Sequence, residues 1–189
     1  MGYTPKKPKI WLSEKQVDAI LRAARKRRER DFQIFRLCRY GLRIGEVVGR
    51  GRLRGIRLMD LRTDGIRILG KGGTETLYPL PRRVLRDLRR YIGCNNQNPT
   101  DRIFPITEWA ITLCLKGYAK RRGIQDWERV STHRLRAYFA TDAKDRGFDS
   151  FLIRDLMRHR NLTTTNEYVG RSTPHALEQA MESLASRKG

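Results

Sequence analysis

Apolar residues recur at helical spacing through Val17, Ile20, Leu21 and Ala24. Ser13 stands just ahead of them with Gln16 three residues on, the pairing that caps a helix start. Phe32, Ile34, Phe35 and Leu37 predict a second helix running toward Gly41, and a third, short one should carry Arg43 to Val48. The period then changes. In the segment GIRILGKGGTETLYPL (65–80), Ile66 and Ile68 alternate, Gly72 and Gly73 turn the chain, and Leu77 and Leu80 return. That is the pattern of an antiparallel hairpin. Pro81 suits the opening of a helix to about Ile92. Further helices are expected over 107–122, 132–146 and 151–158, and Pro174 fits the first turn of a last one reaching Leu184. The expected fold class is therefore mainly α with a small antiparallel β-sheet (α+β).

Charge changes the picture. Across 189 residues, 41 Lys+Arg face 20 Asp+Glu, leaving a formal +21 and a pI near 10.9. With 39% hydrophobic residues the chain can still build a core, so the surplus does not imply disorder. Nucleic acid is the partner such a surplus fits best, because each neutralised phosphate releases condensed counterions. Thirty-one of the 41 cations are arginine, whose planar fork of donors matches phosphate oxygens. A GC-rich genome that drifts lysine toward arginine is the plainer account of that bias. The charge is also uneven: residues 1–60 hold 17 Lys/Arg against 6 Asp/Glu, whereas residues 161–189 hold three of each.

No window approaches the roughly 18 apolar residues of a membrane span, and MGYTPKKPKIWLSEK has no apolar secretion core. Cys38, Cys94 and Cys114 form no CxxC pair, which argues against a zinc ribbon or a disulfide framework. A reducing, cytoplasmic compartment is expected, with no membrane partner, cofactor or metal.

Three segments hold the chemistry: Tyr40-Gly41-Leu42-Arg43-Ile44-Gly45-Glu46, Thr132-His133-Arg134-Leu135-Arg136, and Met157-Arg158-His159 with Tyr168 nine residues beyond His159. At helical spacing His133 and Arg136 share a face and can point at one anion. A hydroxyl nucleophile, two arginines and two imidazoles can perform in-line phosphoryl transfer without a metal.

In these residues the chain resembles the catalytic domain of the tyrosine recombinases, the phage integrase family. Arg43 in GLRIGE, Lys71 in the hairpin, His133 and Arg136 in STHRLRAYFAT, His159 in LMRHRNLTTTNEY and Tyr168 match its pattern in order, from about Ser13 to Arg171. The resemblance implies the recombinase catalytic fold and a site-specific recombinase that breaks and rejoins double-stranded DNA through a 3′-phosphotyrosyl intermediate. It implies paired strand exchanges, a Holliday junction, and a homotetramer on two synapsed sites. Tyr168 would be the nucleophile. Arg43 and Arg136 would bind the non-bridging oxygens, His159 would donate a further hydrogen bond, Lys71 would protonate the leaving 5′-oxygen, and His133 would help deprotonate Tyr168. Two alternatives are a type IB topoisomerase-like relaxing enzyme and a non-catalytic DNA-binding protein of the same fold.

Three departures stand out. The stretch from Glu46 to Asp60, through GRGRLRG, is longer than usual. Arg158 occupies a position where the family usually has glycine. Residues 1–12 read as an arm and 13–189 as one catalytic domain, with no separate core-binding domain.

Other residues read more plainly. Glu46 is a structural partner for Arg43, Tyr138 a packing ring, and His175 a surface residue at a helix start. Trp11, Trp109 and Trp127 are packing residues. The loop glycines 49, 51 and 55 suit a DNA-backbone contact, and the run RKRRER (25–30) is either a solvated face or a second such contact. The apolar residues Ala176, Leu177, Ala180, Met181 and Leu184 could dock residues 174–187 on a neighbouring protomer or pack in cis.

Overall fold

A computed structural model describes residues 10–69, 75–94, 98–158 and 174–186. Helix α1 (Glu14–Arg27) starts at the Ser13–Gln16 box: Ser13 Oγ accepts from the Gln16 amide at 3.3 Å, and Gln16 Oε1 accepts from the Ser13 amide at 2.9 Å. Its apolar stripe is buried as expected. Arg28 is extended (φ −150°) and breaks the chain direction, so α2 (Glu29–Arg39) begins three residues before the Phe32 start read from the sequence.

Helix α2 is the centre of the molecule. Phe32, Ile34, Phe35, Leu37 and Cys38 are buried, and so are Asp31, Gln33 and Arg36. A helix buried on every side needs partners for its polar groups. Asp31 pairs with Arg30 at 2.8 Å and accepts from Tyr118 Oη at 3.1 Å, and Arg36 reaches Asp87 at 2.8 Å. Gln33 donates to Glu29 at 2.6 Å. Helix α1 packs along α2 on one side, and α6 (Thr132–Asp145) packs on another.

The short α3 (Ile44–Val48) leads into a self-closed loop. Arg50 and Leu53 pair backbone to backbone, and Gly49 and Gly55 both take positive φ. A Cβ on Gly55 would come within 2.9 Å of the Val48 carbonyl carbon, so the loop can close only around glycine. Arg54 turns inward to hold buried Asp60 with two 2.9 Å bonds, and Arg50 faces Glu108 at 3.2 Å. Two of the loop's arginines are thus spent on carboxylates.

Strands β1 (Gly65–Leu69) and β2 (Glu75–Pro79) pair antiparallel, Ile66 opposite Tyr78 and Arg67 opposite Leu77. This register corrects the sequence reading. Tyr78, facing buried Ile66, points into the core, while Leu77 points outward and is 47% exposed. Then follow α4 (Arg82–Gly93), α5 (Glu108–Arg121, capped by Thr107 Oγ1), α6, α7 (Ser150–Met157, capped by Asp149) and α8 (Pro174–Ala185). These starts agree with the sequence because caps and first-turn prolines are local signals.

Trp11 (60% exposed) and Trp109 (73%) are not packing residues, contrary to the sequence reading; Trp127 does pack on the core, under Lys120. Tyr138 is buried as expected. In α8, Ala180, Met181 and Leu184 are buried by their own chain, and Glu182 accepts from the Arg82 amide at 2.7 Å. The described part of the stripe therefore packs in cis, and does not by itself argue for a neighbouring protomer. No helix among the described residues is long and apolar enough to cross a membrane.

Candidate functional site

Arg43 is the N-cap of α3, in extended backbone. Its amide donates to Glu46 Oε2 at 2.8 Å and its Nη1 to Glu46 Oε1 at 3.2 Å. Glu46 thus fixes both the backbone and the guanidinium, the structural role read from the sequence. Arg43 Nη2 also reaches the Arg158 carbonyl at 3.2 Å. The side chain still stays 44% exposed, so it remains open to an outside anion.

Arg136 lies one turn into α6 and is only 2% exposed. Its Nη1 donates to the Gly41 carbonyl and its Nη2 to the Met157 carbonyl. These two contacts tie the turn before Arg43 to the end of α7, segments more than a hundred residues apart. Burial pushes Arg136 down to about 10, with the nearby charges of Arg43 and Arg158 adding to the fall and Tyr78 and Glu46 opposing it. It is still a cation at neutral pH, and the repulsion it carries is the mark of a pocket that favours an anion.

Arg158 closes α7 in left-handed backbone (φ +48°). Its Nη2 meets Glu46 Oε2 at 2.6 Å, and its guanidinium lies 4.5 Å from the centre of the Tyr78 ring. Tyr78 Oη in turn donates to the Tyr40 carbonyl at 2.5 Å. Burial raises that phenol to about 12, against the pull of Arg158 and Arg136, so Tyr78 is a neutral support and a poor nucleophile. Sequence reading noted Arg158 only as a departure. The signal that could have flagged it was an arginine in a helix-ending position where glycine is usual.

Gly41 is the hinge of the cluster. Its φ is +92°, and a Cβ there would stand 2.6 Å from Tyr78 Oη and 3.2 Å from the Phe139 ring. Gly41→Ala is expected to cost about 2–3 kcal/mol of stability, measured by urea unfolding, through left-handed strain and the clash together.

His133 sits one turn before Arg136 on α6, and it is exposed where Arg136 is buried. The structure thus brings Arg43, Arg136, Glu46 and Arg158 together. Lys71, His159 and Tyr168 lie outside the described residues. Of the cations in the 25–30 run, Arg25 stacks on Phe32 and Arg30 holds Asp31. Three arginines around one carboxylate leave a net positive cluster that can bind a phosphate and the further charge that develops on it.

The sequence pattern of the phage integrase family matches residues 10–175. A tyrosine recombinase XerA from Pyrococcus horikoshii is 29% identical over 195 residues, covering 94% of this chain and 63% of the relative. A tyrosine recombinase XerD from Proteus mirabilis is 34% identical, covering 88% and 57%. The chain thus spans about three fifths of the length of these relatives. Among solved structures, an integrase from mycobacterium phage Brujita superposes with a TM-score of 0.72 at 24% identity, over 96% of this chain and 60% of that one. A XerA recombinase superposes at 0.69 and 21%, over 99% and 67%. The fold is that of these proteins.

Proposed function

The chain belongs to the phage integrase family, and on that premise we propose that it is a site-specific DNA recombinase that cuts and rejoins double-stranded DNA by tyrosine-mediated phosphoryl transfer. The observation that carries the reading is the junction at Arg136. It seats two arginines, Arg43 and Arg136, beside the end of α7, which stands two residues before His159 in the sequence.

The chemistry follows from charge flow. The Tyr168 phenolic oxygen attacks the scissile phosphorus, forming a P–O bond as the P–O5′ bond breaks. Negative charge grows on the non-bridging oxygens, where Arg43 and Arg136 stabilise it and His159 adds a hydrogen bond. A phenol of pKa about 10 reacts well only once its proton leaves, and His133, exposed on α6, is the group assigned to take it. Lys71, which stands between β1 and β2 in the sequence, supplies the proton to the departing 5′-oxygen. The product is a 3′-phosphotyrosyl bond and a free 5′-hydroxyl. Attack by a second 5′-hydroxyl reverses the step, so bond energy is conserved and ATP is not needed. Strand exchange between two sites, and assembly of several copies on them, belong to the same proposal.

The test is covalent trapping. A pool of randomised duplexes nicked beside each candidate phosphate is expected to yield a denaturant-stable adduct with the protein on the 3′ end. Protein on the 5′ end, or no adduct from duplexes the protein binds, would overturn the proposal.

A further inference from the structure

Arg158 is the residue the reaction above leaves without a task, and it is held in a conformation that arginine disfavours. Left-handed backbone carries no penalty for glycine and a real one for a residue with a Cβ, yet the helix ends on Arg158 at φ +48°. Strain of this kind persists when the surroundings over-determine it, and it gathers at functional sites. The surroundings here are specific: Glu46 Oε2 takes one terminal nitrogen at 2.6 Å, and the Tyr78 ring lies 4.5 Å from the guanidinium carbon. Its buried Nε–H finds no acceptor among the described residues. An oriented guanidinium with an unused donor, beside Arg43 and Arg136, is a phosphate ligand in waiting.

We propose that Arg158 is a third phosphate-contacting arginine of this site, positioned by Glu46 and Tyr78; the proposal rests on the recombinase reading. Charge explains its use. A phosphodiester carries one negative charge, and attack by a phenolate brings a second onto the crossing state. Within the described cluster, apart from Lys71 and His133, Arg43 and Arg136 with Glu46 sum to one positive charge. Adding Arg158 raises the sum to two, and the extra positive charge favours the doubly charged crossing state over the bound substrate. The effect of Arg158 should therefore fall more on the rate of strand cleavage than on affinity.

Arg158→Gly separates this from a structural role, because glycine suits the backbone. The variant is expected to unfold at the same or a higher temperature than the wild type, and to form the trapped adduct about 10²-fold more slowly, as for loss of one oxyanion donor. Arg158→Lys, which keeps a point charge without the fork, should fall between the two. On a random-sequence duplex, log Kd against log salt should lose about one from its slope in Arg158→Gly. An unchanged adduct rate in Arg158→Gly overturns the proposal. So does a fall in unfolding temperature large enough to account for the lost rate, since the Glu46 contact would then be structural. If the wild type binds duplex but forms no adduct, the failure lies with the cleavage chemistry, and the salt slope alone decides on Arg158.

Discussion

Tyr168→Phe is expected to abolish the covalent adduct, by at least about 10³-fold, while changing duplex affinity by less than about twofold. Removing a nucleophile's only reactive atom leaves the rest of the site nothing to activate. Affinity, by contrast, comes mainly from phosphate neutralisation, and the lost hydroxyl carries no charge. The other tyrosines near the core make this a clean test. Tyr78 lies against Arg158, but its hydroxyl is committed to the Tyr40 carbonyl and burial raises it to about 12. Tyr118 is raised to about 12 as well, by burial and by the carboxylate of Asp31 to which it donates. Both lean toward the protonated, unreactive state, so neither should substitute. The measurement is adduct yield on the nicked duplex pool beside a binding titration on the same DNA. An adduct that survives in Tyr168→Phe and disappears in Tyr78→Phe would move the nucleophile to β2 and overturn the assignment.

The parts of this fold that were legible in the sequence are those written by local chemistry. Ser13 with Gln16, Thr107, Pro81 and Pro174 mark helix starts wherever they occur, and each helix begins there or at the next residue. What escaped was set by distant partners. Nothing about Arg28 as a residue type announces a break, yet it is extended and α2 begins at Glu29. The inward phase of β2 follows from Tyr78 standing opposite Ile66, a cross-strand pairing that one strand alone does not encode. The site divides in the same way. Arg43 and Arg136 were singled out by the motifs they stand in, and Glu46 as a partner of Arg43 by its three-residue spacing, which the structure shows as a salt bridge. That Arg136 is sunk under the Gly41 and Met157 carbonyls could not be read, since backbone acceptors leave no trace in residue type. His133 and Arg136 stand one turn apart on α6, and that the first is exposed and the second buried was not written in their spacing.

Arg136→Ala should strike stability and chemistry together, and Arg136→Lys should pull them apart. In the alanine variant two carbonyls in buried residues, those of Gly41 and Met157, lose a charged donor. Unsatisfied buried acceptors cost about 1–3 kcal/mol each. The loss is moderated because the missing cation was itself repelled by Arg43 and Arg158, the repulsion that helps hold it down to about 10. A net destabilisation of about 2–4 kcal/mol is expected by urea unfolding. The adduct rate should fall by about 10²–10³-fold even at temperatures where the variant is fully folded. Lysine keeps the charge and can reach one carbonyl, but it has no planar fork to bridge both segments. Arg136→Lys is accordingly expected to recover more than half of the lost stability and little of the lost rate, because a phosphate ligand here has to be a second guanidinium at a fixed angle to Arg43. Should Arg136→Lys cleave as fast as the wild type, Arg136 would be a clip between α3 and α7 only, and the electrostatic work of the site would pass to Arg43 and Arg158.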